Sequence, residues 1–167
     1  MKKNIFLIGF MGSGKSTIAR ALQRELHMSL VEMDARIVQE QGMSINDIFA
    51  QYGEDHFRDI ESKLILTLGE EGNTIVSCGG GVVVRPQNVE YMKKSGTIVF
   101  LTATPETIYE RVKNSTDRPI LNGHMNVEYI AELMEKRRAL YEEAADIRIK
   151  TDGKNRNEIC REIISKL

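Results

Sequence analysis

The chain has 167 residues, of which 41% are hydrophobic and 28% are charged, and its formal net charge is −1. This length and composition predict one globular domain over residues 1–167, and the balanced charge argues against a broad nucleic-acid-binding face. The sequence contains no run of eighteen apolar residues, so we predict no membrane-spanning helix. No signal-peptide pattern precedes the first predicted strand. The two distant cysteines form no metal-ligand or redox spacing, so we expect a reduced, cytoplasmic protein.

A buried strand is predicted at residues 4–8, followed by a glycine-rich segment and an amphipathic helix. The segment from Gly9 to Ser16 has the spacing G-x-x-x-x-G-K-[ST], which is that of a phosphate loop. In such a loop, backbone N–H groups and the positive end of the helix bind phosphate oxygens, and the lysine reaches the β- and γ-phosphates. We therefore predict nucleoside triphosphate binding, with Mg²⁺ on the serine hydroxyl. The predicted contacts are Gly12, Ser13, Gly14, Lys15, Ser16 and Thr17.

Strands and helices then alternate to the end of the chain. Strands are predicted at 30–33, 74–78, 97–101 and 146–150, with helices starting near residues 35, 44, 53, 86, 105, 127 and 157. The alternation predicts a three-layer α/β/α fold of the P-loop NTPase class, with helices on both faces of a five-stranded parallel sheet. Residues about 114–126 lose the periodicity, and the length of this segment predicts a functional lid loop.

The remaining polar residues favour a small-molecule or nucleotide kinase. The sequence has no Asn-Lys-x-Asp motif, with which common GTPases recognise guanine. It also lacks the hydrophobic run ending in Asp-Glu that many motor and transport ATPases contain. Asp34 follows the second predicted strand, where a carboxylate can accept the proton of a hydroxyl that attacks the γ-phosphate. Arg58 lies beside the apolar stripe of its helix, so its guanidinium can point into a cleft. Arg118 lies in the predicted lid, where it can neutralise transition-state charge.

In combination, these motifs resemble those of the shikimate kinase family over nearly the whole chain. The resemblance rests on the loop Gly-Phe-Met-Gly-Ser-Gly-Lys-Ser-Thr at 9–17, Asp34, Phe57-Arg58, the glycines at 79–81, Arg118-Pro119 and Arg137-x-x-Leu140-Tyr141. It implies transfer of the γ-phosphoryl group of MgATP to the 3-hydroxyl of shikimate, a step in the biosynthesis of chorismate and the aromatic amino acids. We expect a monomer without nucleic-acid or membrane partners.

The resemblance also implies individual roles. The implied catalytic residues are Lys15, Asp34 and Arg118, and Arg118 also contacts ATP. Arg58 and Arg137 are implied to bind the substrate carboxylate, which suits two planar guanidinium groups. The glycines Gly79, Gly80 and Gly81 complete the implied substrate site, with a hydroxyl contact at Gly80. Arg111 is implied to lie against the adenine, and Lys154 is the looser second adenine contact.

At one position with a chemical role, the sequence differs from the family pattern. Glu32 stands in place of the first aspartate of an Asp-x-Asp pair whose second member is Asp34. In the family the first aspartate lies near Mg²⁺, and the longer glutamate can still reach a metal-bound water. Ala139 in place of proline and Ile120 in place of leucine are conservative packing differences.

Several alternatives remain open from the residues alone. Asp34 could be only a helix N-cap, and Glu32 only a solvent-facing charge. Arg58 and Arg137 could be solvated helix charges, and the adjacent Arg138 makes the register ambiguous. The glycine triplet could be a plain turn. The alternative functions are a kinase of another small polyol or sugar acid, and a nucleotide-binding regulator without catalysis.

Overall fold

Five parallel strands form the centre of the protein. The computed structural model describes residues 3–113 and 126–167. The strands are β1 (Asn4–Ile8), β2 (Ser29–Glu32), β3 (Thr74–Ser77), β4 (Gly96–Thr102) and β5 (Ile147–Lys150). They lie in the order β2-β3-β1-β4-β5, and every neighbouring pair is parallel. The predicted five-stranded parallel sheet is therefore confirmed.

The helices connect the strands as the alternation predicts. They are α1 (Lys15–Leu26), α2 (Met33–Gln41), α3 (Ile45–Tyr52), α4 (Glu54–Glu71), α5 (Pro86–Ser95), α6 (Pro105–Val112), α7 (Val127–Ala144) and α8 (Arg156–Lys166), with a 3₁₀ turn at Val82–Val84. Side-chain oxygens of Ser44 and Thr104 cap α3 and α6 by accepting backbone N–H groups three residues later. The predicted lid lies outside the described residues except for Asn126, which caps α7.

The boundary between β2 and α2 differs from the prediction. The strand ends at Glu32 and the helix begins at Met33, so the predicted strand end at residue 33 and helix start near residue 35 are wrong. Met33 is fully buried in the core beside Ile37 of the same helix. Its apolar character suits either element, and the helix is selected by packing against the sheet rather than by local sequence.

Both faces of the sheet are buried at its central strands, which explains the continuous apolar run of β1. Along β1, Phe6 and Ile8 pack into one cluster, and Ile5 and Leu7 pack into the other. Helices α1 and α8 contribute to the second cluster, whereas α2, α3, α4, α5 and α7 contribute to the first. Alternate side chains of a strand point to opposite faces, so a central strand covered on both sides is apolar throughout.

The topology brings several loops to one edge of the sheet. The carboxyl ends of β1, β2 and β3 are adjacent because the three strands are parallel neighbours. A third apolar cluster, which includes Phe10, Met11, Ile108 and Ile130, joins the loop after β1 to α6 and α7. Ligands of open parallel sheets bind at this carboxyl edge. Within residues 3–113 and 126–167, every helix is too short or too polar to cross a lipid bilayer.

Candidate active site

The phosphate loop, Gly9–Ser16, follows β1 and encloses the ammonium group of its own lysine. Lys15 Nζ donates hydrogen bonds to the carbonyl oxygens of Gly9 at 2.7 Å and Phe10 at 3.0 Å. Gly12 and Gly14 have φ angles of +82° and +98°, which residues with a Cβ rarely adopt. The loop leads directly into α1, whose first N–H groups are placed to bind phosphate oxygens.

A cavity of about 800 Å³ lies beside the phosphate loop at the carboxyl edge of the sheet. Most of the residues predicted to form the site line it. They are Gly12, Gly14, Lys15, Ser16, Thr17, Glu32, Asp34, Arg58, Gly79, Gly80, Gly81, Arg111 and Arg137. Sequence positions that are distant in the chain therefore meet in one cavity.

Of the predicted site residues that the structure describes, Ser13 and Lys154 are not among those that line the cavity. Ser13 is buried within the phosphate loop, where its N–H donates to the Phe10 carbonyl at 3.1 Å. Lys154 Nζ lies 2.7 Å from the Glu162 carboxylate in an ion pair. Arg118 lies outside the described residues.

Two carboxylates approach each other across Gly79. A Cβ placed on Gly79 would lie 2.9 Å from both Asp34 Oδ1 and Glu61 Oε2, so a larger residue would push the carboxylates apart. Asp34 is the second residue of α2, and Glu32 occupies the N-cap position, so Asp34 is not merely the cap of this helix. We call Asp34, Arg58, Glu61 and Arg137, with the Gly79–Gly81 loop between them, the charged wall of the cavity.

The two arginines of the charged wall are oriented differently from ordinary surface arginines. Arg58 is 5% exposed, and its Nη1 donates to Glu61 Oε1 at 2.9 Å. Arg137 Nη1 is buried without a hydrogen-bond partner in the described part of the chain. Arg138 instead pairs with Glu135 at the surface, which resolves the ambiguity of register in favour of Arg137.

Burial controls the ionisation of the acidic groups around the glycine loop. Burial raises the pKa of the Glu61 carboxyl, and the nearby Asp34 carboxylate adds to the rise, whereas Arg58 opposes it. Burial also raises the pKa of the Cys78 thiol, which therefore stays protonated and has little nucleophilic character.

The oxygen atoms near the phosphate loop fit a magnesium–nucleotide complex. Ser16 Oγ lies 3.5 Å from Ser77 Oγ, and the Glu32 carboxylate lies 3.3 Å from Arg20 Nη2 on the rim of the cavity. Among residues 3–113 and 126–167, no cluster of three or more His, Cys, Asp or Glu side chains could hold a metal. Mg²⁺ is usually held by one or two protein oxygens together with substrate phosphates and water, and Ser16 and Glu32 carry oxygen atoms that could serve as such ligands.

Arg111 lines the cavity beside the phosphate loop. It belongs to the last turn of α6, and its Nη1 donates a hydrogen bond to the Gly12 carbonyl at 3.0 Å. This contact holds its guanidinium beside the phosphate loop, where a planar cation can stack on a base.

Two residues of the site have no predicted role. Glu61 follows Arg58 by three residues on α4, a spacing that places both side chains on one helical face and could have identified the pair. Tyr141 donates its hydroxyl hydrogen to the Gly80 carbonyl, a contact between distant segments that only the fold creates. Tyr141 belongs to the motif that contains Arg137, but motif spacing alone does not indicate its partner.

A phosphate loop between a central parallel strand and a helix, facing a cavity with acidic and guanidinium groups, defines a P-loop kinase of a small molecule. A family model described as shikimate kinase matches residues 11–167, and the chain belongs to the shikimate kinase family. A shikimate kinase from Dehalococcoides mccartyi is 43% identical over 166 residues, covering 99% of this chain and 94% of that protein.

Solved structures give the same result. Shikimate kinase from Aquifex aeolicus has a TM-score of 0.84 at 37% identity, covering 98% of this chain and 95% of that one. Shikimate kinase from Acinetobacter baumannii in complex with shikimate has a TM-score of 0.94 at 28% identity, covering 99% of this chain and 92% of that one. The predicted family and fold are both confirmed.

Proposed function

We propose that this protein transfers the γ-phosphoryl group of ATP to the 3-hydroxyl of shikimate, giving shikimate 3-phosphate and ADP. The observation that carries this proposal is the meeting of the phosphate loop and the charged wall in one cavity. Lys15 lies on the phosphate-loop side of the cavity. On the other side, Asp34, Arg58 and Arg137 supply groups complementary to the hydroxyl and carboxylate groups of a small substrate. A protein that only bound nucleotide would have no need for this second set.

In the proposed reaction, the 3-hydroxyl oxygen attacks the γ-phosphorus and forms the new P–O bond. The bond from the γ-phosphorus to the β,γ-bridging oxygen breaks, and ADP leaves with that electron pair. Asp34 accepts the hydroxyl proton, since a carboxylate in hydrogen-bond reach of the nucleophile can act as a general base. Lys15 binds the β- and γ-phosphate oxygens and reduces the repulsion that the nucleophile meets.

The charged wall is proposed to orient the acceptor. Arg58 and Arg137 bind the shikimate carboxylate, and Gly79–Gly81 allow the ring to approach the backbone closely. Glu61 accepts a hydrogen bond from Arg58 Nη1 at 2.9 Å, and Glu54 accepts from Arg58 Nε at 3.4 Å and Nη2 at 3.3 Å, so two acidic partners fix the orientation of the guanidinium. On its sequence motif alone, Arg118 is proposed to neutralise charge on the transferring phosphoryl group.

The nucleotide is proposed to lie along the phosphate loop, with the adenine next to Arg111. Gly12, Ser13, Gly14, Ser16 and Thr17 are the proposed contacts to the phosphates, and Lys154 is a further adenine contact proposed from the sequence. Ser16 and, through water, Glu32 would hold Mg²⁺, which when bound neutralises phosphate charge. We also propose a monomer, since all of the proposed ligand groups come from one chain, and size-exclusion chromatography tests the oligomeric state. A cytoplasmic location is proposed because the two cysteines have no metal-ligand or redox spacing.

A substrate panel tests the proposal directly. ADP release is measured with ATP and, in parallel, shikimate, gluconate or a nucleoside monophosphate, with and without chelation of Mg²⁺. We expect turnover with shikimate and its loss on chelation. Turnover with gluconate or a nucleotide but none with shikimate, in folded protein, would contradict the proposal. Nucleotide binding without turnover on any acceptor would favour the regulator instead.

A further inference from the structure

Tyr141 contacts the Gly79–Gly81 loop through its hydroxyl and is not among the residues that line the cavity. It is 2% exposed, and its ring stacks on Phe100 with centroids 5.0 Å apart and an interplanar angle of 27°. Close packing leaves the ring little freedom, so its hydroxyl is held at one place. From there the O–H donates a hydrogen bond to the Gly80 carbonyl, joining α7 to the loop after β3.

This hydrogen bond orients a whole peptide group. The Gly80 carbonyl and the Gly81 N–H belong to one planar trans peptide, in which they point in opposite directions. Gly80 and Gly81 line the cavity whereas Tyr141 does not, and a Gly80 carbonyl that points to the Tyr141 hydroxyl leaves the Gly81 N–H on the opposite side of the peptide. Over residues 3–113 and 126–167 this N–H has no hydrogen-bond partner, so it is a donor for a ligand.

The same hydroxyl lies next to the guanidinium of Arg137. Tyr141 follows Arg137 by four residues, so the two side chains share one face of α7. Burial raises the pKa of the Tyr141 hydroxyl, and the neighbouring Arg137 charge opposes the rise. Arg137 Nη1 would lie 3.6 Å from a Cβ on Gly80, so the guanidinium and the glycine loop meet beside this hydroxyl.

We propose that Tyr141 is a positioning residue for the acceptor substrate. Through its hydroxyl it holds the Gly80–Gly81 peptide so that the Gly81 N–H and the Arg137 guanidinium face the same ligand. Tyr141 does not touch the substrate itself. The inference rests on the proposed function, because it assumes that the charged wall receives shikimate.

The test is Tyr141→Phe, which removes the hydroxyl and keeps the stacked ring. We expect the KM and Kd for shikimate to rise about 3- to 10-fold, as the loss of one buried hydrogen bond implies. The KM for ATP and the affinity for ADP are expected to stay unchanged. The rise in melting temperature caused by shikimate should shrink, while the rise caused by ADP should not.

Tyr91→Phe is the matched control. Its hydroxyl accepts a hydrogen bond from Gln87 Nε2 at 2.6 Å within α5, and Tyr91 is not among the residues that line the cavity. Both variants are titrated with shikimate and with ADP, and the melting temperature with each ligand is compared with that of the same variant without ligand. This comparison separates a role in positioning from a role in stability.

The outcomes are distinguishable. A selective loss of shikimate affinity in Tyr141→Phe supports the inference. Equal behaviour of the two variants overturns it, as does an equal loss of shikimate and ADP binding, which would show a purely structural role. If the unaltered protein neither binds nor phosphorylates shikimate, the proposed function fails, and the inference that rests on it is overturned as well.

Discussion

The phosphate loop and the charged wall face the same cavity but are held together differently. In the phosphate loop, Lys15 bonds to carbonyl groups five and six residues away, and glycine conformations set the backbone path. In the charged wall, side chains from α2, α4 and α7 meet around the loop after β3. One side of the cavity is thus a local structure, while the other depends on the packing of four segments. Substitutions on the two sides should therefore affect different ligands.

The largest effect is expected for Asp34→Asn, which removes the proposed acceptor of the hydroxyl proton. We expect kcat to fall about 100- to 10,000-fold, the usual contribution of a positioned general base, with ATP affinity unchanged. Steady-state kinetics and nucleotide titration measure the two effects separately. The control is Asp47→Asn, which makes the same chemical change in the first turn of another helix, α3. Near-normal kcat in Asp34→Asn would show that Asp34 is not the base.

Lys15→Met is the counterpart on the phosphate loop. It removes the cation proposed to stabilise the phosphates, so we expect turnover to fall about 100- to 1,000-fold and ADP affinity to weaken. Calorimetric titration should show shikimate binding close to that of the unaltered protein, since the charged wall is held by other segments. Lys63→Met on the exposed side of α4 serves as the control. A comparable loss of shikimate binding would break the distinction between the two sides.

Arg58→Ala is expected to act mainly on the acceptor. Loss of charge-assisted hydrogen bonds to a carboxylate should raise the KM for shikimate about 10- to 100-fold, with a small change in the KM for ATP. Initial rates over a grid of both substrates give the two values. Arg138→Ala removes an exposed arginine that pairs with Glu135 and should leave both KM values unchanged. An unaltered shikimate KM in Arg58→Ala would remove this residue from the site.

The smallest effect is a change in the pH dependence of stability in Glu61→Gln. Burial raises the pKa of Glu61, so the folded state binds this proton more tightly than the unfolded state does. Stability from this group is therefore present below the unfolded-state pKa and is lost as the pH rises through the folded-state pKa. Glutamine cannot titrate, so the Glu61→Gln variant should lose less of its free energy of unfolding as the pH rises than the unaltered protein does. Urea unfolding at a series of pH values measures this difference.

Glu135→Gln, on the surface of α7, is the control for that measurement. Its carboxylate is exposed beside Arg138, so the substitution should leave the pH profile close to that of the unaltered protein. If Glu61→Gln and Glu135→Gln have the same profile, the buried carboxyl does not titrate differently in the folded state.

Much of the fold is predictable because its signals are local. Apolar runs predict the three central strands β1, β3 and β4, and Ser44 and Thr104 mark helix starts through caps that the structure contains. The exception is the β2–α2 boundary, where Met33 suits a strand or a helix and tertiary packing selects the helix. The position of Asp34 just after β2 was nevertheless correctly expected.

The charged wall was predictable in part. Arg58 and Arg137 are expected from motif resemblance, but the residues alone leave open whether their side chains face solvent or the cavity. Burial of Arg58 against Glu61 settles that question for Arg58, and the buried Nη1 of Arg137 in the lining of the cavity settles it for Arg137. Lys154, predicted near adenine, is instead paired with Glu162, and its role stays a prediction.

The sequence by itself determined the phosphate loop, the alternation of strands and helices, and the family, because each depends on residues close in the chain or on ordered motifs. Only the tertiary structure decided which charges meet. The approach of Asp34 to Glu61 across Gly79 and the hydrogen bond from Tyr141 to Gly80 depend on how the helices pack against the sheet. Contacts between segments distant in the chain leave no periodic signal, since each is set by the geometry of the whole core.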